Sequence, residues 1–254
     1  MLRTYLPKSV NNQLFGFRDK YGQRAWENDP DWEKWTKLYP SVYKLTQRTS
    51  SIQSKVNDAG YEILRTIDFN SQNVGEIGPG GGYHFKYLNA APKAYHAFDV
   101  CVDFFEEPKD NMPVGDTDIQ CHKTEAYIAK LPVEDNSLDL MLSFFSMEHL
   151  YPLEEWLTEI FRVLRPGGQL VGAIPAEGGI AWGIGRWLTS RRSLMREYNI
   201  DVRKIVCWEH PNTCDEIVKN FKSHGEARIH KWPLPFMPFD CNLLVKFLIS
   251  KNSR

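Results

Sequence analysis

The chain has 254 residues, 25% of them charged, with a formal net charge of −1. That size fits one α/β domain with additions, and the near-neutral balance argues against a general nucleic-acid binder, which would be strongly basic. Hydrophobic residues make up 42% of the chain, enough for a sizeable core, yet no run approaches the roughly 18 apolar residues of a membrane span.

The N-terminal stretch Met1–Lys8 has no apolar h-region or small-residue cleavage site, so a cytoplasmic protein is expected. Its five cysteines, Cys101, Cys121, Cys207, Cys214 and Cys241, are scattered without a C-x-x-C pair. Neither a disulfide framework nor a zinc site is suggested, and buried or idle thiols are expected.

Residues 1–72 lack strand-like runs and are rich in aromatics, from Phe15 and Phe17 to Trp26, Trp32, Trp35 and Tyr43. They read as a helical extension and a candidate lid, with Pro40-Ser41 as a helix start before Val42, Leu45, Ile52 and Val56. The three tryptophans read as core, with a pocket cover as the sharper alternative.

From residue 73 the texture changes to short apolar runs alternating with amphipathic segments, the pattern of βαβ units and a parallel sheet. Strands are expected at 73–77, 94–98, 119–122, 138–144 and 169–174, with a helix beginning near Tyr83. The run 138–144 is almost continuously apolar, as suits a strand covered on both faces. Leu153, Trp156, Leu157, Ile160, Phe161 and Leu164 fall on one helical face, and Pro166-Gly167-Gly168 reads as the stop.

A helical insertion is expected at about 178–212, and Asn212 reads as the N-cap of a helix with Cys214, Ile217, Val218 and Phe221 inward. The final strands, 227–232 and 242–250, are joined by a proline-rich connection too short for a crossover helix, so they should pair antiparallel. The expected fold is a doubly wound, Rossmann-like α/β sheet of seven strands. It is mostly parallel with an antiparallel C-terminal strand, and domain 73–254 carries the site.

The first strand runs into Glu76-Ile77-Gly78-Pro79-Gly80-Gly81-Gly82. Alternating glycines let backbone approach a ligand where a side chain would clash. The dinucleotide fingerprint needs its third glycine at position 83, where Tyr83 stands. Asp99 follows Gly78 by 21 positions at the end of the second strand, where such a sheet places an acidic residue on ribose hydroxyls.

Four ordered runs, Val74–Gly82, Phe98-Asp99-Val100, Leu131–Leu140 and Glu159–Gly168, resemble the class I S-adenosylmethionine-dependent methyltransferases. More narrowly, they are similar to the branch that methylates ubiquinone, menaquinone and sugars. The resemblance implies S-adenosyl-L-methionine as cofactor. It implies Glu76 near the methionine ammonium, Gly78 and Gly80 as the close approach, Asp99 on the ribose and Val100 beside the adenine. The residues before Leu131-Pro132 would cap the adenine. The usual Asp-Ala pair is replaced by Tyr127-Ile128 or displaced to Glu125-Ala126, and both registers stay open.

The segment Ser143–Leu150 after the fourth strand, with Phe144 and His149, should line the space between cofactor and acceptor, beyond the carboxyl ends of parallel strands. His149 is the best-placed proton acceptor for a hydroxyl, with a structural histidine as the plain alternative. Glu148-His149 also resembles the Glu-His of the ubiquinone-pathway enzymes, whose further acidic metal ligand three positions earlier is replaced by Phe145; no metal is expected.

His210 reads as part of a capping loop, with the acceptor pocket as its sharper role. Arg186, Arg191, Arg192, Arg196, Arg203 and Lys204 read as a solvated face. Alternatives are an anionic acceptor, or peripheral membrane contact through Trp187, Leu188 and Leu194. The expected activity is methylation of a small-molecule or lipid-linked glycan-precursor acceptor, at oxygen rather than nitrogen or carbon. A nicotinamide oxidoreductase and a non-catalytic cofactor-binding scaffold are the rivals.

Overall fold

The computed structural model of the protein describes residues 1–48, 52–101, 112, 115–188 and 198–252. Its centre is a seven-stranded sheet in the order β3-β2-β1-β4-β5-β7-β6. The strands are β1 (Asn73–Ile77), β2 (Ala94–Asp99), β3 (Asp118–Lys123), β4 (Leu138–Phe144), β5 (Leu164–Pro175), β6 (Gly225–Trp232) and β7 (Leu244–Lys251).

Only β7 runs against its neighbours, pairing antiparallel with β5 and β6, while β1 to β5 are parallel. The apolar β4 lies between β1 and β5, with all but one of its residues buried. β3 at one edge is mostly exposed, so the sequence's contrast between continuous and broken apolar runs maps onto centre and rim. Strand order reverses between β1 and β4, and the carboxyl ends on either side of such a switch leave a crevice for ligands.

Before the sheet come α1 (Lys8–Phe15), α2 (Arg18–Tyr21), α3 (Pro30–Arg48) and α4 (Ile52–Tyr61). α3 begins at Pro30, not at Pro40, because Asp29 accepts the Asp31 and Trp32 amides at 3.0 and 3.1 Å. That cap satisfies free amides of the first turn, and proline is well suited to the first helical position.

The helix expected at Tyr83 shrinks to a short 3-10 turn, Phe85–Tyr87. Eleven residues separate Gly82 from Ala94 (83 through 93), and Pro92 restricts the residue before it. Too few remain for a full crossover helix.

α5 (Leu153–Val163) buries the predicted face, but it ends at Leu164, which enters β5 directly, before Pro166-Gly167-Gly168. Arg162 on α5 donates to the Leu131 and Val133 carbonyls at 3.1 Å and pairs with Glu159 and Asp135. Glu159 in turn accepts the Leu131 amide at 2.6 Å. The Leu131–Asp135 run is therefore pinned to α5 through one guanidinium.

The insertion contributes α6 (Ile180–Leu188) and α7 (Val202–Glu209), followed by α8 (Cys214–Phe221). Thr213, not Asn212, caps α8, in a reciprocal box with Glu216. Asn212 instead donates its side-chain amide to the Met147 and Leu150 carbonyls at 3.1 and 2.5 Å.

Trp35, Ile200, Ile205, Cys207 and Trp208 form a separate buried cluster, with Trp32, Tyr21 and Ala25 packed against it. The core reading of Trp32 and Trp35 thus holds, while Trp26 is half exposed and reaches Trp208 at a 5.6 Å centroid distance. Among the described residues no helix is long and apolar enough to cross a membrane. None of the five cysteines forms a disulfide among the described residues; Cys207 and Cys214 are buried and Cys121 is exposed.

Candidate functional site

At the carboxyl end of β1 the chain turns through Gly78, Gly80 and Gly82, each with positive φ (67°, 52° and 64°). Side chains rarely adopt that region, so the alternating glycines answer a backbone requirement. A Cβ added to Gly78 would stand 2.8 Å from Cβ of Ser146. Ser146 also donates to the Ile77 carbonyl at 2.7 Å and meets the Ser143 hydroxyl at 2.7 Å. The glycine turn and the loop after β4 are thereby locked together over the switch point.

Glu76 is fully buried one residue before the strand ends. One carboxylate oxygen is held by the Tyr95 hydroxyl and by Nε2 of His84 at 2.8 Å, while Oε1 has no partner. A buried carboxylate oxygen without a donor is costly, and an ammonium group or a water held by a ligand would satisfy it.

Asp99 closes β2. It accepts the Cys101 amide at 2.8 Å and also interacts with the Val100 and Gly80 amides. Burial pushes its carboxyl up to about 6, against the pull of those amides toward the ionised form. Its backbone carbonyl takes the Thr124 amide at 2.8 Å, which brings the exit of β3 alongside. Val100 is half exposed beside it. Glu76, Gly78, Gly80, Asp99 and Val100 thus stand on two adjacent strand ends, an anionic, amide-lined shelf suited to an amino acid ammonium and a ribose.

Tyr127 and Ile128 lie on the following turn, closed by an isolated bridge between Glu125 and Ile128. Arg24 sits over the Tyr127 ring at 4.6 Å, and Ile128 is half exposed. Phe144 faces into an aromatic group instead, stacked on His84 at 5.5 Å and edge-on to Tyr61 at 5.3 Å. It supports the ring that holds Glu76.

On the other side of the switch point the loops after β4 and β5 and the end of α7 carry a polar cluster in which Glu148 and Glu177 are buried and His149, Glu209 and His210 half-buried. Nδ1 of His149 donates to the Glu209 carbonyl at 2.5 Å; a carbonyl only accepts, so Nδ1 bears the proton. Burial and the neighbouring His210 ring push His149 down to about 3, outweighing the Glu209 and Phe145 carbonyls. It is a neutral imidazole near neutral pH.

His210 packs edge-on against it at 4.8 Å and bonds through Nδ1 to Glu177 at 3.0 Å. Burial opposes the charge on His210, but Glu177 wins and raises it. Glu177 is itself fully buried and paired with Arg186, and accepts from the Trp182 indole at 3.0 Å. Despite its burial, Arg186 and His210 hold that carboxyl well below the usual range. Glu148 is also buried; desolvation lifts it to about 7, opposed by His210.

Arg186 and Lys204, which bridges Asp29 and Asp31, are therefore no part of a solvated face, whereas Arg203 pairs with Asp201 and keeps 36% of its side chain exposed. Arg191, Arg192, Leu194 and Arg196 lie outside the described residues.

Sequence reasoning missed His84, Tyr95, Glu177 and Glu209. Glu177 had a readable signal, since it follows the carboxyl end of β5 by two residues, the position where ligands are met in this architecture. Tyr95 had none: an aromatic in the middle of a buried strand looks like core until its hydroxyl is seen on Glu76.

Residues 75–172 match the family model of a methyltransferase domain. The chain is 25% identical over 166 residues to an uncharacterized methyltransferase-like protein of Schizosaccharomyces pombe, covering 63% of this chain and 56% of that one. It is 27% identical over 144 residues to the human mitochondrial arginine-hydroxylase NDUFAF5, covering 56% of this chain and 39% of that protein. The chain thus spans little more than half, or less, of these curated relatives. Among solved structures, a SAM-dependent methyltransferase of Thermotoga maritima, described as a possible histamine N-methyltransferase, superposes with a TM-score of 0.54. The sequences are 15% identical, and the match covers 87% of this chain and 99% of that one.

Proposed function

Since residues 75–172 form a class I S-adenosylmethionine-dependent methyltransferase domain, we propose that the protein binds S-adenosyl-L-methionine and moves its methyl group to an oxygen of a small-molecule or glycan-precursor acceptor. The observation that carries this reading is the shelf at the ends of β1 and β2. There a buried carboxylate, Glu76, keeps an unsatisfied oxygen next to a positive-φ glycine turn, and Asp99 stands one strand away.

In this assignment Glu76 takes the ammonium of the methionine moiety, Asp99 accepts the ribose hydroxyls, and Val100 with Tyr127 and Ile128 borders the adenine. S-adenosylmethionine supplies an electrophilic methyl on a sulfonium sulfur. The protein's part is alignment: the acceptor is held in line with that methyl, which is where most of the rate gain in such a displacement arises. His149 is the group assigned to the acceptor side. Its ring is neutral, so a nitrogen lone pair is available to an acceptor hydroxyl without prior deprotonation.

Titration with S-adenosylhomocysteine and with NADH tests the cofactor assignment, and binding of NADH alone would sink it. Release of S-adenosylhomocysteine across a panel of sugar, quinone and phenolic acceptors tests turnover. Silence across the panel, with the cofactor bound, would favour a scaffold. The product is read directly because one relative is named for hydroxylation rather than methylation. Replacing His149 by alanine is expected to lower turnover about 10²-fold or more while leaving cofactor affinity near normal. A near-normal rate would return His149 to a structural role.

A further inference from the structure

We propose that His149, Glu209 and His210 form a binding site for a divalent transition-metal ion on the acceptor side of the sheet. One ring nitrogen of each histidine and one carboxylate oxygen of Glu209 lie within 4.8 Å of one another. Ligands at tetrahedral angles around one ion with bonds of about 2.0–2.2 Å stand about 3.3–3.6 Å apart. Side-chain rotations that move each donor by up to about 1 Å bring the three into range.

The tautomers are already arranged for it. Nδ1 of His149 is committed to the Glu209 backbone carbonyl at 2.5 Å, and Nδ1 of His210 to the Glu177 carboxylate at 3.0 Å. Each ring therefore offers Nε2. An imidazole bound through one nitrogen while the other donates to a carbonyl or carboxylate is the usual second shell of a metal-bound histidine. Here both histidines have it, and the Glu177 carboxylate is itself fixed by Arg186 and Trp182.

Charge points the same way. Glu148 and Glu177 are 2% and 0% exposed, and each keeps one oxygen without a hydrogen-bond partner. Glu148 Oε1 comes no nearer than 3.9 Å to Nε2 of His149. With Glu209 this makes three carboxylates around two imidazoles, while Arg186 pairs with Glu177 alone among them. Buried carboxylates call for a paired or coordinating positive charge, and a divalent ion would supply it.

The donors come from separate elements. His149 follows β4, and Glu209-His210 end α7. This set differs from one built around an acidic residue three positions before Glu148, where Phe145 stands. Two imidazoles and a carboxylate suit zinc, manganese, iron, cobalt or nickel rather than magnesium or calcium. Three protein donors leave at least one position for water or an oxygen of the acceptor; an ion on Nε2 takes up the His149 lone pair, so in the loaded site the ion in place of the imidazole would activate the acceptor hydroxyl. That last role rests on the methyl-transfer reading; the metal site itself does not.

The test is titration of the chelator-treated full chain with Co²⁺, followed by its visible absorption bands, with S-adenosylhomocysteine affinity measured on the same preparation. One Co²⁺ per chain is expected. Glu209→Gln and His210→Ala should each weaken it about 10- to 100-fold, and Asp99→Ala should leave it unchanged. Absence of Co²⁺ bands in the wild-type chain, or full Co²⁺ affinity in folded Glu209→Gln and His210→Ala variants, would overturn the site. Metal binding without S-adenosylhomocysteine binding would instead remove the methyl-transfer reading and leave the site standing.

Discussion

Asp99 links a position readable in the sequence to a charge state that is not. Its place at the end of β2 follows from spacing, but its carboxyl is raised to about 6 because burial outweighs the amides it accepts. The ionised form is the better acceptor for ribose hydroxyls. As pH falls through about 6 the proton returns and the acceptor is lost, so cofactor affinity should drop about tenfold between pH 7 and pH 5. Calorimetric titration with S-adenosylhomocysteine at both values measures this. Asp99→Ala should cost about 1–3 kcal/mol of binding at pH 7 and abolish most of the pH dependence. An unchanged affinity would remove the ribose assignment.

Glu76 is the contrasting residue. Its partners, Tyr95 and His84, come from the next strand and from the turn after the glycines. Neither residue type nor spacing announces that role.

Among the elements, the buried face of α5 was legible because its apolar residues repeat at helical period, and the structure buries Leu153, Trp156, Leu157, Ile160 and Phe161 as expected, although Leu164 belongs to β5 and the helix ends before Pro166. The role of Arg162 on the same helix was not. Its guanidinium spans Leu131, Val133, Asp135 and Glu159, so it ties the run before β4 to the helix after it. Arg162→Met keeps the helix and removes these bonds. A loss of about 2 kcal/mol is expected by urea denaturation, tempered by partial exposure of the guanidinium. A variant as stable as the parent would mean that the run is held by Leu131 packing alone.

The start of α3 and the cap of α8 show the limit of local signals. Pro40 and Asn212 are each plausible boundary residues, yet Asp29 and Thr213 take those roles. Asn212 is drawn away by the carbonyls of Met147 and Leu150, more than 60 residues earlier.

For the whole molecule, the N-terminal helices and the insertion share one buried cluster. Trp208 of α7 sits among Tyr21, Trp26 and Trp32, at centroid distances of 5.9, 5.6 and 6.0 Å, and its indole donates to the Tyr21 carbonyl at 3.0 Å. The same helix ends in Glu209 and continues into His210, so the packing of the N-terminal helices bears directly on the cluster of His149, Glu209 and His210. Trp208→Ala should destabilise the protein by about 3–5 kcal/mol. It should also speed tryptic cleavage at Arg18, Lys20 and Arg24 before the sheet is attacked. Cleavage that begins in the sheet instead would show that the cluster does not hold the extension.

The sequence by itself determined the sheet, its direction changes and the glycine-and-carboxylate shelf at the ends of β1 and β2. Alternating apolar and amphipathic runs, glycines at every second position and an acidic residue at a strand end are each local patterns with local causes. The tertiary structure decided the polar cluster beyond β4 and β5. Glu148, His149, Glu177, Glu209 and His210 come from three separate stretches of chain and take their charge states from burial and from their neighbours, Arg186 among them. A carboxylate or an imidazole has no fixed role until burial and its neighbours set which form survives, and those neighbours are chosen by the fold.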